Sequence, residues 1–401
     1  MFPKEFLAAI PKTDLHLHLD GSLRLSTLIA LAKDQGVELP SFTESGLRDL
    51  VFKDSYTNLN EYLAGFAWTG KVLQDTDSLN QVAYELAMDN FAEGVRYIEV
   101  RFAPQLHMHR GLSFEQVMSS VDSGLRRARS EINADLEPGE PPFEYGIIVC
   151  AMRFFTPSFS EYYAELSRIH PYSEQEELIR MASLELAKAT VRMARNTDVQ
   201  VVAFDLAGSE EGFPASQHES AYAYAHKHFL NKTVHAGEAY GPESIFQAIT
   251  KLHADRIGHG LRLFRADMVY SEDILDKEAF VAQLANYIAE HRITVEVCLT
   301  SNLQTCPDIR TPENHSLGQM LDSNLSLSLC TDNRLVSHTT VTKEIELAID
   351  TFSISPKQLK NIIIYGFKRS FHYQPYVEKR RYVRTIIDYY EALERKHRVS
   401  A

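Results

Sequence analysis

The sequence is poor in the features that mark secreted, membrane and disulfide-stabilised proteins. It has only four cysteines in 401 residues, none in a CxxC spacing, which indicates reduced thiols, and no Cys298–Cys306 bridge is expected. No apolar run approaches the length of a membrane span, and Met1 to Ile10 is too short and too polar for a secretory signal. We therefore expect a cytoplasmic protein without a membrane partner.

Positive charge is also in short supply. There are 41 Lys plus Arg against 54 Asp plus Glu, for a formal charge of −13. Such a surface repels phosphate backbones, which argues against nucleic acid as a partner. A small anionic substrate stays possible, because a local pocket can oppose the overall sign. Internal repeats and low-complexity tracts are absent too, and the composition suits one large barrel domain spanning residues 1–401.

Eight short apolar segments alternate with helical patterns. Nearly continuous apolar strands are typical of a parallel sheet buried on both faces. The predicted strands are Thr13–Leu17, Val95–Phe102, Tyr145–Ala151, Val199–Leu206, Lys232–His235, Arg256–Ile257, Thr294–Cys298 and Leu325–Cys330. The predicted helices between them include Thr76–Glu93, Phe114–Asn133, Glu174–Asn196, Ser216–Leu230 and Glu278–His291. This alternation predicts an α/β fold, a (β/α)8 TIM barrel.

Two segments are additional to the eight strand–helix units of a minimal barrel. Residues 30–75 form an insertion after the first strand, with helical character over Asn58–Gln74, and the C-terminal tail carries helices over Pro356–Tyr365 and Val377–Arg395. Neither has the size or composition of an independent domain.

Polar side chains cluster where four of the strands end. His16 and His18 are two apart, so both face the same side of the first strand. His235 with Glu238, His259 between two glycines, and Asp332 follow later strands. The carboxyl ends of barrel strands share one rim, which is where barrel enzymes keep their catalytic groups. Imidazoles there predict a site for a divalent metal such as zinc. A second HxH pair, His107 and His109, is interpreted as two solvated loop histidines.

The order of these motifs resembles the adenosine deaminase family of metal-dependent hydrolases. The matching segments are HxHxDG from His16, DLAG from Asp205, HAGE from His235, GHG around His259, SNLQT from Ser301 and TDN from Thr331, and they span about Lys12 to Glu344. Carried over by matched position, the resemblance implies one zinc per chain on His16, His18, His235 and Asp332. It also implies a water made nucleophilic by the metal, His259 orienting that water or accepting its proton, and Glu238 as the acid that protonates the purine ring. Asp332 would also hydrogen-bond the attacking oxygen. For Glu238 we expect burial to raise the pKa.

The resemblance and the helical spacing also indicate residues that would contact the substrate. By resemblance, the backbone amide of Gly208 would meet purine N3, and Asp20 would receive a ribose hydroxyl, as in adenosine-specific members; relatives that act on adenine or modified nucleosides more often carry Glu there. Tyr62 and Phe66 are four apart on the inserted helix and share a face. They would either close over the ribose or simply pack the helix on the barrel.

One departure from the family pattern concerns Asn333 and Arg334, which stand where many members have Asp-Pro. The Asn333 amide can donate to purine N7 without needing a proton. Arg334 brings a cation near the mouth, as a surface salt bridge or as a contact for an anionic substrate.

Deamination of adenosine and 2′-deoxyadenosine is the leading hypothesis. The alternatives are a related aminopurine (6-aminodeoxyfutalosine, cyclic AMP, N6-methyl-AMP or adenine), a non-catalytic nucleoside-binding barrel, and amide or ester hydrolysis on the same scaffold. The zinc site of cytidine-type deaminases requires PCxxC, which the sequence lacks.

Overall fold

A computed structural model describes residues 2–309 and 311–399. Eight parallel strands are hydrogen-bonded in chain order, and a bridge between Leu17 and Asp332 brings the last strand back to the first. The strands are β1 Lys12–His18, β2 Val95–Phe102, β3 Glu144–Met152, β4 Val201–Ala207, β5 Asn231–Ala236, β6 Arg256–His259, β7 Thr294–Val297 and β8 Leu327–Leu329. The predicted (β/α)8 barrel is confirmed, and each strand bound falls within two residues of its prediction.

Seventeen α-helices occur in the described part of the chain. They are α1 Lys4–Ala9, α2 Leu25–Gln35, α3 Glu44–Leu50, α4 Leu59–Leu63, α5 Phe66–Val72, α6 Thr76–Ala92, α7 Phe114–Ala134, α8 Glu161–Ile169, α9 Gln175–Asn196, α10 Glu219–Lys227, α11 Pro242–Thr250, α12 Lys277–His291, α13 Leu299–Thr305, α14 Leu317–Asp322, α15 Val341–Phe352, α16 Pro356–Arg369 and α17 Tyr376–His397. None of them has the length and hydropathy needed to cross a membrane.

Two helix predictions are corrected. The stretch Asn58–Gln74 is not one helix: α4 ends before Ala64 and α5 begins at Phe66. A glycine at position 65, which favours helix less than other residues do, lies at this break. The stretch predicted from Ser216 begins as a 3-10 turn and becomes α-helical only at Glu219. The C-terminal helices predicted over Pro356–Tyr365 and Val377–Arg395 are present as α16 and α17, whereas α2 and α3 were not predicted individually.

The strands are buried along almost their whole length. All eight residues of β2 are buried, because barrel side chains cover one face and the outer helices cover the other. The interior also holds charge: Arg101, Asp205, Glu296 and Arg256 are each no more than 1% exposed. These charged side chains lie directly beneath the carboxyl ends of the strands, where the site residues are.

The cysteines follow the prediction. All four are free and buried, and no Cys298–Cys306 bridge forms. The proposed single domain of residues 1–401 stays a prediction, and its ends, Met1, Ser400 and Ala401, lie outside the described residues.

Candidate metal centre and active site

Five predicted side chains converge at the carboxyl rim of the barrel. Donor atoms of His16, His235, His259 and Asp332 all lie within 4.8 Å of one another. His18 joins them, because its Nε2 atom is 3.1 Å from Nε2 of His235 and 3.4 Å from Oδ1 of Asp332. Residues more than 300 positions apart in the sequence therefore share one buried site.

Buried carboxylates fix how two of the imidazoles present their nitrogens. Nδ1 of His16 is 2.8 Å from Oε2 of Glu296, and Nδ1 of His235 is 3.1 Å from Oδ2 of Asp205. Each carboxylate accepts the Nδ1 proton, which leaves the Nε2 lone pair facing the site. Arg101 holds both carboxylates, at 2.9 Å from Asp205 and 2.8 Å from Glu296.

These donors fit a single divalent metal. Nε2 of His16 is buried and has no hydrogen-bond partner among the described residues, which is costly unless something binds it. Two donors about 2.1 Å from a common ion at tetrahedral angles are roughly 3.4 Å apart, and the observed gap of 3.4 Å between His18 and Asp332 matches that spacing. Neutral imidazole nitrogens with one carboxylate are a donor set that suits zinc.

Backbone geometry turns two of the converging side chains inward. His259 and Asp332 both have positive φ, 64° and 61°, a conformation that disfavours residues with a Cβ and tends to occur at functional sites. Gly258 is needed for a different reason: a Cβ there would lie 2.8 Å from Cε1 of His16. The GHG motif therefore allows β6 to pass close to the first histidine while its own histidine turns into the site.

Glu238 lies at the edge of this cluster, with Oε2 3.7 Å from Nε2 of His259. Burial raises the pKa of its carboxyl well above the usual range, and the nearby charges of Asp332 and Glu210 raise it further. The direction agrees with the prediction, and burial favours the protonated form of this carboxyl.

The tautomer of His259 follows from its neighbours. The backbone N–H of Leu317 donates to Nδ1 of His315, so neutral His315 carries its proton on Nε2, 3.2 Å from the Asn302 oxygen. The Asn302 amide then donates to Nδ1 of His259 at 3.1 Å. Burial lowers the pKa of His259 well below its usual value, so the ring is neutral and its Nε2–H points into the site.

A cavity of about 710 Å³ opens from this cluster to the surface. Its wall contains Asp20, Gly208, Asn333, Tyr62 and Phe66, the residues predicted to contact substrate. Burial raises the pKa of Asp20 to about 7. Its Oδ1 atom lacks a hydrogen-bond partner in the described part of the chain, and it is therefore an acceptor available to a ligand hydroxyl.

The two residues predicted on the inserted helix have different environments. Tyr62 is 1% exposed, and its hydroxyl meets Oγ of Ser337 at 2.9 Å and accepts from Nδ2 of Asn333 at 2.8 Å. Phe66 begins the next helix, with its ring 6.5 Å from that of His18. Tyr62 thus combines packing with a contact to Asn333, while Phe66 forms part of the cavity wall beside His18.

Two interpretations of basic side chains need correction. Arg334 does not face the cavity: its guanidinium pairs with Glu93 and lies 3.2 Å from the Asn90 oxygen, with 11% of the side chain exposed. The salt-bridge interpretation holds, but the pair is largely buried and not on the surface. His107 is not solvated either, being 1% exposed with Nδ1 bound to the Leu73 carbonyl.

The sequence did not assign the residues that hold the histidines and Asp332 in place through hydrogen bonds. Asp205 occurs in the DLAG motif that resembles the family, and a metal-binding histidine requires an acceptor on its other nitrogen, but nothing in the sequence pairs each histidine with its carboxylate. Glu296 lies inside an apolar strand, where an isolated charge is the only signal. Ser301, whose hydroxyl donates to Asp332 at 2.6 Å, carries no signal beyond its motif.

Comparison with known proteins identifies the family. The family model described as "Adenosine deaminase" matches residues 11–176 and 175–389, most of the chain.

Individual relatives agree with this match. An adenosine deaminase of Shewanella halifaxensis is 35% identical over 367 residues, covering 90% of this chain and 94% of that protein. A Dictyostelium discoideum protein named "Probable adenosine deaminase" is 34% identical over 92% of this chain, which spans 41% of that relative's length. Among solved structures, the Arabidopsis N6-mAMP deaminase is 25% identical with a TM-score of 0.73, covering 96% of this chain and 99% of that one.

Proposed function

The chain belongs to the adenosine deaminase family and is a hydrolytic deaminase; on that premise we propose that it converts adenosine and 2′-deoxyadenosine to inosine and 2′-deoxyinosine with one zinc ion per chain. The observation that carries the proposal is the buried convergence of His16, His18, His235 and Asp332 beside Glu238. A donor set of this kind next to a proton-holding carboxyl matches what hydrolysis of an aromatic amine requires.

Those four residues would hold the metal, which, when bound, supplies a nucleophilic water at neutral pH. Glu238 then donates its proton to the ring nitrogen beside C6, which makes that carbon electrophilic. His259, with its Nε2–H directed into the site, donates to the attacking oxygen and orients it; a resting role as proton acceptor does not suit this tautomer. Asp332, with Oδ2 held by Ser301, accepts a hydrogen bond from the same oxygen through its carboxylate.

The remaining side chains would position the nucleoside. The unpartnered Oδ1 of Asp20 suits a ribose hydroxyl, and the backbone amide of Gly208 at the cavity wall suits purine N3. Asn333 would reach N7 with its amide, in a position fixed by Tyr62. Phe66 covers the side of the cavity next to His18.

Charge favours a neutral nucleoside over a nucleotide. The carboxyl groups of Asp20 and Asp332 line the cavity, and Lys71 is the single Lys or Arg among its lining residues. Lys71 is exposed and lies 4.3 Å above the Trp68 ring, where it faces solvent. With Arg334 paired to Glu93, the residues that line the cavity include no buried cation for a 5′-phosphate, and charge-assisted bonds are what phosphate sites use.

A substrate panel tests the proposal. Ammonia release is measured for adenosine, 2′-deoxyadenosine, adenine, AMP, N6-methyl-AMP, cyclic AMP and 6-aminodeoxyfutalosine. We expect the two nucleosides to give the highest kcat/KM, and a nucleotide in first place would reject the assignment. Metal analysis of the same sample should give close to one zinc per chain; a metal-free chain without turnover would favour a nucleoside-binding barrel.

The acid is tested separately. Glu238→Gln removes the transferable proton while keeping size and polarity, so kcat should fall on the order of 10²-fold or more, with metal content and KM nearly unchanged. Full turnover in this variant would exclude Glu238 as the proton donor.

A further inference from the structure

Glu210 lies behind Glu238, in the loop that follows β4, and is 5% exposed. Its carboxylate accepts the backbone N–H groups of four consecutive residues, 237 to 240: at 2.7 Å from Gly237, 3.0 Å from Glu238, 2.8 Å from Ala239 and 2.9 Å from Tyr240. The hydroxyl of Ser244, in the first turn of α11, is a fifth donor to the same group.

Successive backbone N–H groups that converge in this way form an anion-binding concavity. In other proteins such concavities bind phosphate or another external anion; here the anion is a side chain of the same protein. The concavity depends on Gly237, whose φ of 72° is left-handed and whose Cβ would lie 2.6 Å from Ile245. Glu210 therefore determines the backbone path of the segment that carries Glu238.

The other side of Glu238 is held as well. Nε of Arg262 is 3.4 Å from its carbonyl oxygen, and Arg262 is in turn held by Asp308. Both peptide groups of Glu238 are thus fixed, the N–H by a carboxylate and the C=O by a guanidinium. A long side chain that must place one proton on one ring nitrogen gains from such restraint, because misplacement of about 1 Å costs roughly 10²-fold in rate.

We propose that Glu210 is a positioning residue for proton transfer, which aims the carboxyl of Glu238 at the substrate ring through the five hydrogen bonds it accepts. It touches neither substrate nor metal ligands and acts through Glu238. The inference rests on the proposed role of Glu238 as the acid.

Glu210→Gln is the main test. The amide keeps the size of the carboxylate, but its NH2 group would face backbone N–H donors, so the 237–240 segment must shift. We expect kcat to fall roughly 10- to 100-fold while KM stays within about threefold and zinc content is unchanged. A residue that only tied the loop to the barrel would lower Tm and leave kcat per folded molecule at the wild-type value, and that result would overturn the proposal.

Glu243→Gln is the matched control. Glu243 also lies in the first turn of α11 and also accepts two backbone N–H groups of a neighbouring loop, those of Tyr270 and Ser271, but that loop carries no site residue. Its kcat should equal that of the wild type. An equal loss of kcat in both variants would show a general effect of loosening α11 and would overturn the specific role of Glu210.

A double-mutant cycle separates this proposal from the function it rests on. In the Glu238→Gln background the further change Glu210→Gln should cost almost nothing in kcat, since residues that act as a unit are not additive; additive losses would contradict the proposal. Full activity of Glu238→Gln would instead refute the acid assignment itself.

If Glu210→Gln does not fold, Ser244→Ala is the alternative variant, because it removes one of the five donors to the Glu210 carboxylate. A wild-type kcat in Ser244→Ala would count against the proposal, whereas a several-fold loss of kcat at constant KM would support it.

Discussion

Replacing Arg334 with alanine should destabilise the protein without changing its substrate choice. Arg334 and Glu93 have side chains only 11% and 14% exposed. Burial alone raises the pKa of Glu93, but the Arg334 charge and the Thr342 hydrogen bonds outweigh it and lower that pKa. In the variant the Glu93 carboxyl would stay buried but would lose the cation that compensates its charge.

The size of the effect follows from what remains around Glu93. Breaking a buried pair from one side costs about 3–5 kcal/mol. The backbone N–H groups of Val341 and Thr342 still donate to Glu93, which places the loss near 3 kcal/mol. At about 2.1 cal/mol/K per residue, the unfolding entropy of 401 residues is roughly 0.8 kcal/mol/K, so Tm should fall by about 4 °C.

Thermal unfolding and steady-state kinetics check the two halves of this prediction. Arg24→Ala is the control, since the Arg24 side chain is 43% exposed and pairs with Asp89; such a pair contributes about 0–1 kcal/mol, and Tm should fall by about 1 °C or less. The ratio of kcat/KM for AMP to that for adenosine should not change in Arg334→Ala. A Tm equal to that of the control, or a selective loss of nucleotide turnover, would refute the reasoning.

Three further predictions concern pH and the metal site. Because burial raises the pKa of Glu238 and only the protonated acid works, kcat should fall as pH rises through that raised pKa; a rate that only rises with pH contradicts this. Gly258→Ala should weaken metal binding on the order of 10- to 100-fold in a chelator titration, since the new Cβ presses on His16, whereas Gly70→Ala, with open space, should not. Burial raises the pKa of Glu344 from 4.5 to about 7, so its contribution to stability is fully present below about pH 4.5 and is lost as pH rises through 7. The free energy of unfolding, measured in urea, should therefore change between pH 4.5 and pH 8 by up to about 3 kcal/mol less in Glu344→Gln than in the wild type.

The barrel and the rim residues were predictable because they depend on local patterns. A buried parallel strand needs a short apolar run, and β2 was predicted residue for residue. Polar residues just after such runs must lie at one rim, which brings His16, His235 and Asp332 together without any knowledge of distances. The break between α4 and α5 was missed, since the periodicity of the apolar residues continues across Gly65.

The supporting contacts were not predictable, because they depend on which interior side chains meet across the barrel. Glu296 and His16 are 280 residues apart, and no spacing rule pairs them. Arg334 was placed at the mouth on the basis of its neighbour Asn333. Successive residues after a strand can point in opposite directions, so one faces the cavity and the next is buried against α6.

The hydrogen bonds around the rim give the site a fixed polarity. Carboxylates on Nδ1 make His16 and His235 present lone pairs, and Asp332 adds a carboxylate oxygen. Asn302 on Nδ1 makes His259 present a proton, and burial keeps a second proton on Glu238. The site thus combines acceptors for a cation with two groups that carry a proton. Hydrolysis needs both kinds of group, because the acceptors would hold the metal, the Nε2–H of His259 would orient the attacking oxygen, and the proton of Glu238 would go to the ring nitrogen. Reversing a single tautomer, for instance by replacing Asn302 with an acceptor such as Asp, would turn Nε2 of His259 from donor to acceptor and remove the contact that orients the nucleophile.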